Sequence, residues 1–311
     1  MASIAPTAAP APATFTADWL RLREPADHAA RDAAAAAMGA LGLAALRGTD
    51  APRPSTPAAE ARRVVDLGCG TGASLRYLAP RLGGEQHWQV FDQDEALLRA
   101  WPAAMADWAR HAGHRLEVAG ATLRIEGQGF CATAERHRLD LAHELGNVPL
   151  GSTDLLCATA LIDLVSAGWL AELIGRARQT GVTLSLALMV DGRIEWDPAG
   201  AGDAEVALAF ARHQGRDKGF GPALGAQAPE VASTLLANAG YTVMSARSDW
   251  LLHGGPLQAA LIEGTAAAAI EQDPATAPAT EAWRRLRTAA VGQTRLRVGH
   301  VDLIAVLPPG C

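Results

Sequence analysis

The chain has 311 residues, of which 49% are hydrophobic, and its formal net charge is −6. This length is enough to bury a full core as one large domain, and an acidic chain without a Lys/Arg stripe is a poor candidate for binding nucleic acid. Its four cysteines lie far apart, with no C-x-x-C pair and no histidine at metal-ligand spacing, so we expect no metal site and a reducing, cytoplasmic location.

The amino-terminal region divides into a tail, a helix and a linker. Residues 1–15 are rich in Ala and Pro and lack a basic start, which predicts a disordered tail and not a signal peptide. No apolar run approaches the ~20 residues of a membrane span, so we expect no membrane partner. Residues 16–59 contain a helical pattern with a densely charged first half, followed by a linker rich in Pro and Ser/Thr.

A glycine-rich loop follows the first predicted strand. The apolar residues 64–65 lead to Asp66, and Gly68, Gly70 and Gly72 then precede a helical pattern. Such a loop has no side chains that would block a ligand, and the helix that follows offers free N–H groups. Because Asp66 adds an acceptor beside these donors, we expect a ligand with both a carboxylate and an ammonium group.

Acidic residues follow the next predicted strands. Residues 88–92 read as a second strand that ends at Asp92, 24 positions after Gly68, a spacing that suits recognition of a ribose diol. Because Gly68, Gly70 and Ala73 also satisfy the dinucleotide-binding fingerprint, an NAD(P)-dependent oxidoreductase is an alternative at this point. Further along, Asp140 ends a third strand and Asp154 opens a fourth.

These residues occur in the order typical of one family. The segment Asp66-Leu67-Gly68-Cys69-Gly70-Thr71-Gly72 resembles motif I of class I S-adenosylmethionine (SAM)-dependent methyltransferases, and the resemblance extends over about residues 60–190. It implies an α/β fold, a doubly wound, mostly parallel seven-stranded sheet with a reversed edge strand, in a SAM-binding domain over residues 60–311. It also implies SAM as the cofactor. The residues expected to contact SAM are Asp66, Gly68, Cys69, Gly70, Gly72, Asp92, Gln93, Asp140, Leu141 and Ala158.

Two readings of the amino-terminal helix remain open. Its charged first half is typical of a solvated face on a helix that packs against the sheet edge. In many members of the fold, however, an amino-terminal helix closes as a lid over SAM and substrate. A lid would place Arg23 and His28 at the pocket as substrate-binding residues.

The fourth predicted strand brings a carboxylate to the expected site. Residues 154–165 are apolar except for Asp154, Thr159 and Asp163, and ligands of a doubly wound sheet lie beyond the carboxyl ends of its strands. A carboxylate in apolar surroundings there has a raised pKa and can accept a substrate proton. Asp163 is therefore the first candidate for a catalytic base, and the alternative role is a helix cap.

A charged loop follows the fifth predicted strand. Residues 182–190 form that strand, Asp191-Gly192 predicts a turn, and residues 193–196 suit a short hairpin arm. The segment 199–225 then contains the only lysine of the chain. We expect this loop over the pocket mouth, unless it is a solvated loop without function. Its candidate substrate-binding residues are Arg216, Lys218 and Phe220, and its candidate catalytic residues are His213 and Asp217.

The carboxyl-terminal part completes the predicted sheet. A helix over residues 229–240 precedes a strand at 241–246, and residues 297–307 form the last, reversed strand. Between these strands, residues 258–292 form a helical insertion. We expect it to pack outside the sheet or to form an oligomer contact, which would make the protein a homodimer.

Together these features predict a SAM-dependent methyltransferase. The sulfonium of SAM already activates the methyl group, so the protein supplies positioning and, where needed, a base. On charge, the acceptor is expected to be a small polar metabolite, methylated on O, N or C, and not a nucleic acid. The alternatives are an NAD(P)-dependent oxidoreductase that uses the same loop and a SAM-binding protein without catalytic activity.

Overall fold

A sheet of ten strands forms the centre of the computed structural model, which describes residues 15–47 and 61–308. Most of the expected tail, the whole of the expected linker at residues 48–59 and Cys311 lie outside the described residues. The strands are β1 (Arg62–Leu67), β2 (Gly84–Asp92), β3 (Arg115–Ala119), β4 (Thr122–Gly127), β5 (Phe130–Arg138), β6 (Leu155–Thr159), β7 (Thr183–Asp197), β8 (Thr242–Arg247), β9 (Trp250–His253) and β10 (Arg295–Val306). The helices are α1 (Ala17–Arg47), α2 (Ala73–Leu82), α3 (Glu95–Ala112), α4 (Ala167–Thr180), α5 (Asp203–Gln214), α6 (Ala228–Asn238), α7 (Gly255–Gln272) and α8 (Ala277–Ala289).

The strand order is β3-β4-β5-β2-β1-β6-β7-β10-β8, with β9 paired to β10 beside this path. Strands β5, β2, β1, β6 and β7 run parallel, whereas β10 runs antiparallel between β7 and β8. The predicted doubly wound, mostly parallel sheet with a reversed strand is therefore confirmed. The reversed strand lies one position inside the edge, and β3, β4 and β9 bring the described sheet to ten strands where seven were expected.

Apolar layers cover both faces of the central strands. One contains Leu75, Leu78, Trp101 and Met105 from α2 and α3, and the other contains residues of α4 and α6. Local signals fix where the flanking helices begin. For example, the Asp94 side chain accepts hydrogen bonds from the first-turn N–H groups of α3. The carboxyl ends of β1, β2 and β6 consequently meet at one edge of the sheet, where ligands of such folds lie.

The turn predicted at Asp191-Gly192 is wrong, because β7 continues through it to Asp197. The added residues pair with the first half of β10, as in the pair of Trp196 with Leu296. The register of this pairing shifts around Gly299, where a Cβ atom would lie 2.1 Å from the Asp191 carboxylate. A long partner strand and a bulge thus replace the expected turn and hairpin arm.

The helical insertion covers this extension of the sheet. Helices α7 and α8 pack with α5 in an apolar cluster that includes Trp196, Val206, Ile262, Trp283 and Leu296. The insertion therefore packs against residues of β7 and β10, which agrees with one of its two expected placements. Its part in an oligomer contact stays a prediction.

Helix α1 lies next to α7 of the insertion and is kinked at Gly39. It contacts β8, β9 and β10, and it buries Asp27, Ala30, Arg31 and Ala34. By length and composition, α1 is the one described helix that could cross a membrane, with a mean hydropathy of 1.2 over an 18-residue window that is 22% buried. From the sequence, we expected no segment long and apolar enough to span a membrane. Length and composition alone are weak evidence, since core helices of other proteins pass the same test.

Candidate active site

A cavity of about 530 Å³ lies at the carboxyl ends of β1, β2 and β6, next to the glycine-rich loop. Leu20, Arg23 and Asp27 of α1 form part of its wall. The other lining residues are Phe15, Gly68, Cys69, Gly70, Thr71, Ala73, Ser74, Asp92, Gln93, Asp94, Glu95, Leu97, Arg138, Leu139, Leu141, Thr159, Ala160, Leu161, Leu164, Lys218 and Phe220. We call this space the first cavity.

The glycines of the loop have two different roles. Gly68 and Gly70 line the first cavity with positive φ angles of +64° and +53°. Gly72 does not line it. A Cβ atom there would lie 2.2 Å from the Met105 side chain and 2.8 Å from Trp101, so this glycine allows α2 to pack closely on α3. The predicted ligand contact of Gly72 is thus replaced by a packing role.

The Asp92 carboxylate is held in place beside the loop. It accepts hydrogen bonds from the backbone N–H of Gly70 at 2.8 Å and from that of Asp94 at 2.9 Å. Burial raises its pKa, and these backbone donors act in the opposite direction. Carboxylate oxygens accept more than one hydrogen bond each, so Asp92 can still receive two hydroxyl groups of a ligand.

Asp66 lies beneath the loop and is fully buried. Neither of its carboxylate oxygens has a hydrogen-bond partner among the described residues, and the nearby Ser74 hydroxyl donates to Thr159 Oγ1 at 3.0 Å. Burial raises the pKa of Asp66 to about 7, with the Arg31 guanidinium acting in the opposite direction. Asp66 does not line the first cavity, so its predicted contact with the cofactor is not observed, and Gly68, Cys69 and Gly70 form the cavity wall above it.

Two other predicted cofactor contacts lie just outside the first cavity. The Asp140 carboxylate accepts from the Ala142 N–H at 3.0 Å and lies 3.0 Å from His143 Nδ1, and its neighbours Leu139 and Leu141 line the cavity instead. Ala158 is buried within β6, so the cavity wall begins one residue later, at Thr159. Cys69 and Gln93 do line the cavity, and burial raises the pKa of the Cys69 thiol, as expected of a small wall residue and not a nucleophile.

A second cavity of about 290 Å³ adjoins the first. Both cavities are lined by Phe15, Arg23, Ala160, Leu164 and Lys218, which mark their junction. The walls of the second cavity are mainly apolar and include Trp19, Trp196, Phe210, Trp250 and Trp283. Its other polar residues are Asp163, His213, Gln214, Thr265 and His300.

Asp163 lies in a single 3-10 turn that follows β6 and faces the second cavity. Its Oδ1 is buried without a hydrogen-bond partner among the described residues, and burial raises its pKa to about 6. The capping alternative is wrong, because α4 is capped by Ser166, whose hydroxyl accepts from the Trp169 N–H at 3.3 Å. The structure thus leaves Asp163 as a carboxylate at a cavity wall.

The charged loop contributes only part of its residues to the cavities. Lys218 lines both, Phe220 lines the first and packs edge-to-face on Trp169, and His213 lines the second, with Nε2 at 3.3 Å from the Glu271 carboxylate. The predictions for two other loop residues need correction, since neither reaches a cavity. Arg216 binds the Glu271 carboxylate at 2.7 Å, and Asp217 accepts from the N–H groups of Gly219 and Gly221, which shapes the loop.

The two candidates on α1 also differ. Arg23 lines both cavities, forms a bidentate ion pair with Asp27, and stacks 4.8 Å from the Trp250 ring centroid. His28 lines neither cavity. Its Nε2 lies 3.7 Å from the Glu24 carboxylate, its ring packs on Tyr77, and burial lowers its pKa. The expected substrate contact of His28 is therefore replaced by packing.

Sequence reasoning missed several residues of the second cavity. His300 is buried, its Nδ1 lies 3.0 Å from the Val298 carbonyl oxygen, and burial lowers its pKa to about 4, so its ring is neutral. Trp196 and Trp283 come from the strand extension and the helical insertion. The one sequence signal for Trp196 was the alternation of apolar and polar residues along β7, because side chains on one face of a strand recur at every second position.

The sheet order, the reversed β10 and the glycine loop at the end of central strand β1 define a Rossmann-like, doubly wound α/β fold. No family model matches the chain, and no curated protein matches it.

Three of the solved structures to which this chain is similar are described here by protein and organism. A cyclopropane-fatty-acyl-phospholipid synthase-like protein from Lactobacillus casei is 18% identical, with a TM-score of 0.46, 91% of this chain covered and 99% of that chain. A precorrin-6y C5,15-methyltransferase from Geobacter metallireducens is 11% identical, with a TM-score of 0.39 and coverages of 86% and 87%. A geranyl diphosphate C-methyltransferase from Streptomyces coelicolor is 11% identical, with a TM-score of 0.37 and coverages of 79% and 72%.

Proposed function

We propose that this protein is a SAM-dependent methyltransferase that binds SAM in the first cavity and a small-molecule acceptor in the second. The observation that carries the proposal is the junction of the two cavities at Arg23, Ala160, Leu164 and Lys218. Methyl transfer requires two ligands that meet end to end, with the acceptor atom in line with the bond that breaks. A glycine-loop cavity that adjoins a second, differently lined cavity provides this arrangement.

The chain's own groups suit SAM. SAM supplies a methyl group activated by its sulfonium. Gly68 and Gly70 let the backbone approach the amino-acid end of SAM. Asp92 can accept from the ribose hydroxyls, while Leu97 and Leu141 offer apolar surface to an adenine ring.

The second cavity suits an acceptor with an apolar body and one polar end. Its tryptophans provide the apolar surface, and Asp163 provides a base beside the junction. The sequence predicted a polar metabolite, but Arg216 and Asp217 of the charged loop line neither cavity. The lining of the second cavity therefore favours an acceptor with an apolar body. The buried, unpaired Oδ1 of Asp163 also favours catalysis over mere SAM binding, because a sensor needs no base.

Calorimetry with S-adenosylhomocysteine tests the cofactor assignment. Asp92→Ala should weaken binding by about 2 kcal/mol, roughly 30-fold, because charge-assisted hydrogen bonds to the ribose are lost. Asp107→Ala is the matched control, since Asp107 lies on the exposed surface of α3 and pairs with Arg110. Equal affinities of the two variants, measured on samples of normal melting temperature, would place the ribose elsewhere.

An electrophoretic shift assay tests the acceptor class. We expect no retention of tRNA or duplex DNA at moderate salt, because a chain with a net charge of −6 releases few counterions from a phosphate backbone. A salt-dependent shift at sub-micromolar protein would contradict a small-molecule acceptor.

A further inference from the structure

We propose that the acceptor is a hydroxylated aromatic compound of one or two rings, held by its ring in the second cavity and methylated on the hydroxyl oxygen. This inference rests on the proposed methyl transfer and adds the chemical class of the acceptor. It is carried by the aromatic walls of the second cavity together with two charged residues that line it, Asp163 and Lys218.

The aromatic walls are rigid surfaces. The Trp250 indole N–H donates to Asp27 at 3.0 Å, and the Trp283 indole N–H donates to Asp203 at 2.8 Å, so both rings have fixed orientations. Trp196 packs edge-to-face on Trp283, with ring centroids 6.2 Å apart. Fixed aromatic walls favour a planar ring, which packs on them by offset stacking and edge contacts, over a flexible chain that must lose rotamer freedom.

The size of the cavity limits the occupant. Its volume of about 290 Å³ lies just below the ~300–1,000 Å³ that is usual for ligand sites. Phe210 of α5, Leu261 of α7 and Leu296 of β10 are among the residues that line it. The space therefore suits a compact ring system and not a long acyl chain.

Two charged groups that line the second cavity favour a hydroxyl over an amine. Asp163 Oδ1 and Lys218 have no hydrogen bond or ion pair with another described residue, and both line the second cavity. A hydroxyl can give its proton to the Asp163 carboxylate, and the Lys218 ammonium attracts the negative charge that develops on oxygen. A protonated amine would instead be repelled by Lys218, which favours an acceptor that becomes negative during the reaction.

The acidity of the acceptor favours an aromatic hydroxyl. A phenolic hydroxyl has a pKa of about 10, whereas bulk water has ~15.7 and an aliphatic alcohol resembles water. Asp163 takes the proton of the hydroxyl, and an oxygen electron pair forms the new bond to the methyl carbon. The carbon–sulfur bond breaks with its electron pair on sulfur, which leaves neutral S-adenosylhomocysteine and an aryl methyl ether. Atoms and charges balance without a further reactant.

Binding of 2-naphthol in the presence of S-adenosylhomocysteine tests this assignment. Decahydro-2-naphthol has the same ring connectivity without aromaticity, and 2-naphthylmethylamine carries an ammonium group in place of the hydroxyl. Calorimetry should show that 2-naphthol binds at least tenfold more tightly than either. Tighter binding of one of the two analogues, or no binding of 2-naphthol, would overturn the assigned acceptor class.

Two variants of α7 show where the probe binds. Ala268 lines the second cavity, whereas its neighbour Ala267 is exposed and lines neither cavity. Ala268→Phe should weaken 2-naphthol binding at least tenfold, and Ala267→Phe should leave it unchanged. Equal affinities of the two variants would place the probe outside the second cavity and contradict the proposal.

Transfer of a deuterated methyl group then tests the chemistry. Mass spectrometry should detect labelled 2-methoxynaphthalene, with Asp163→Asn lowering the rate by roughly 10²–10⁴ and Lys218→Met by about tenfold. Bound 2-naphthol that is never methylated would overturn the assigned reaction. S-adenosylhomocysteine is titrated into the same samples. If S-adenosylhomocysteine binds but 2-naphthol does not, the acceptor class is wrong and the proposed methyl transfer stands. If S-adenosylhomocysteine does not bind, both proposals are wrong.

Discussion

The Trp250 indole N–H donates a 3.0 Å hydrogen bond to the Asp27 carboxylate and thereby joins residues 223 positions apart. The same carboxylate holds Arg23 in a bidentate ion pair, and Arg23 in turn stacks on the Trp250 ring. These three residues fasten α1 to β9 where the two cavities meet. The amino-terminal helix is therefore a structural wall of both cavities.

Trp250→Phe should destabilise the protein by about 1–3 kcal/mol, because it removes one donor from a buried carboxylate and leaves that acceptor less satisfied. Trp108→Phe is the matched control, since the Trp108 indole has ring contacts but no hydrogen bond to a described residue. Urea unfolding gives both free energies of unfolding. A loss no larger for Trp250 than for Trp108 would show that the contact does not stabilise α1.

Gly72→Ala should cost more stability than Gly113→Ala. Both glycines have positive φ angles, +90° and +70°, which cost an alanine about 1–2 kcal/mol. A Cβ atom at Gly72 also meets Met105 and Trp101, whereas one at Gly113 meets no described atom within 4 Å. Overpacking should add about 1–3 kcal/mol for Gly72. Equal losses in chemical unfolding would exclude the close packing of α2 on α3.

The Asp66 carboxyl should make the ligand-free protein less stable as the pH rises. Burial raises its folded-state pKa to about 7, while the unfolded chain has the ordinary value of 3.8. The folded state therefore binds more protons between these values, and its stabilisation is present below pH 4 and is lost as the pH rises through 7. At ~1.4 kcal/mol per pKa unit, the loss is on the order of 4 kcal/mol. Asp66→Asn should flatten this slope in unfolding curves measured from pH 4 to 8, and an unchanged slope would contradict the assignment.

The base assigned to Asp163 predicts an acid limb in the rate profile. Its pKa is raised to about 6, so kcat/KM for 2-naphthol should fall about tenfold per pH unit below 6, where the carboxyl becomes protonated. Asp163→Asn should abolish this limb while the affinity for S-adenosylhomocysteine stays near that of the wild type. A limb that persists in Asp163→Asn would assign the titration to another group.

The sequence predicted the parts of this site that are local in the chain. A strand, a glycine loop and a helix follow one another within residues 62–82, and the acid after β2 follows the same logic. Their physical requirements, positive φ angles and a nearby carboxylate, are visible in residue types alone. The doubly wound, mostly parallel sheet was implied by the resemblance to a known family, and its parallel strands require helical crossovers.

Long-range packing decided what the sequence could not show. Asp191-Gly192 has the local signature of a turn, yet pairing with β10, about a hundred residues away, carries β7 straight through it. Residues of α1, β7, β9, α5, α7, α8 and β10 line the second cavity, so no single segment of the sequence predicts it. A charge pattern also does not show which way each side chain points. Lys218 lines a cavity, whereas the adjacent Asp217 accepts hydrogen bonds within its own loop.

Calorimetric titration of the wild-type protein with S-adenosylhomocysteine and, separately, with NADH tests the central claim most directly. The account predicts saturable one-site binding of S-adenosylhomocysteine, weakened roughly 30-fold by Asp92→Ala, and no saturable binding of NADH. Saturable binding of NADH together with no response to S-adenosylhomocysteine would contradict it and make this glycine loop that of an oxidoreductase.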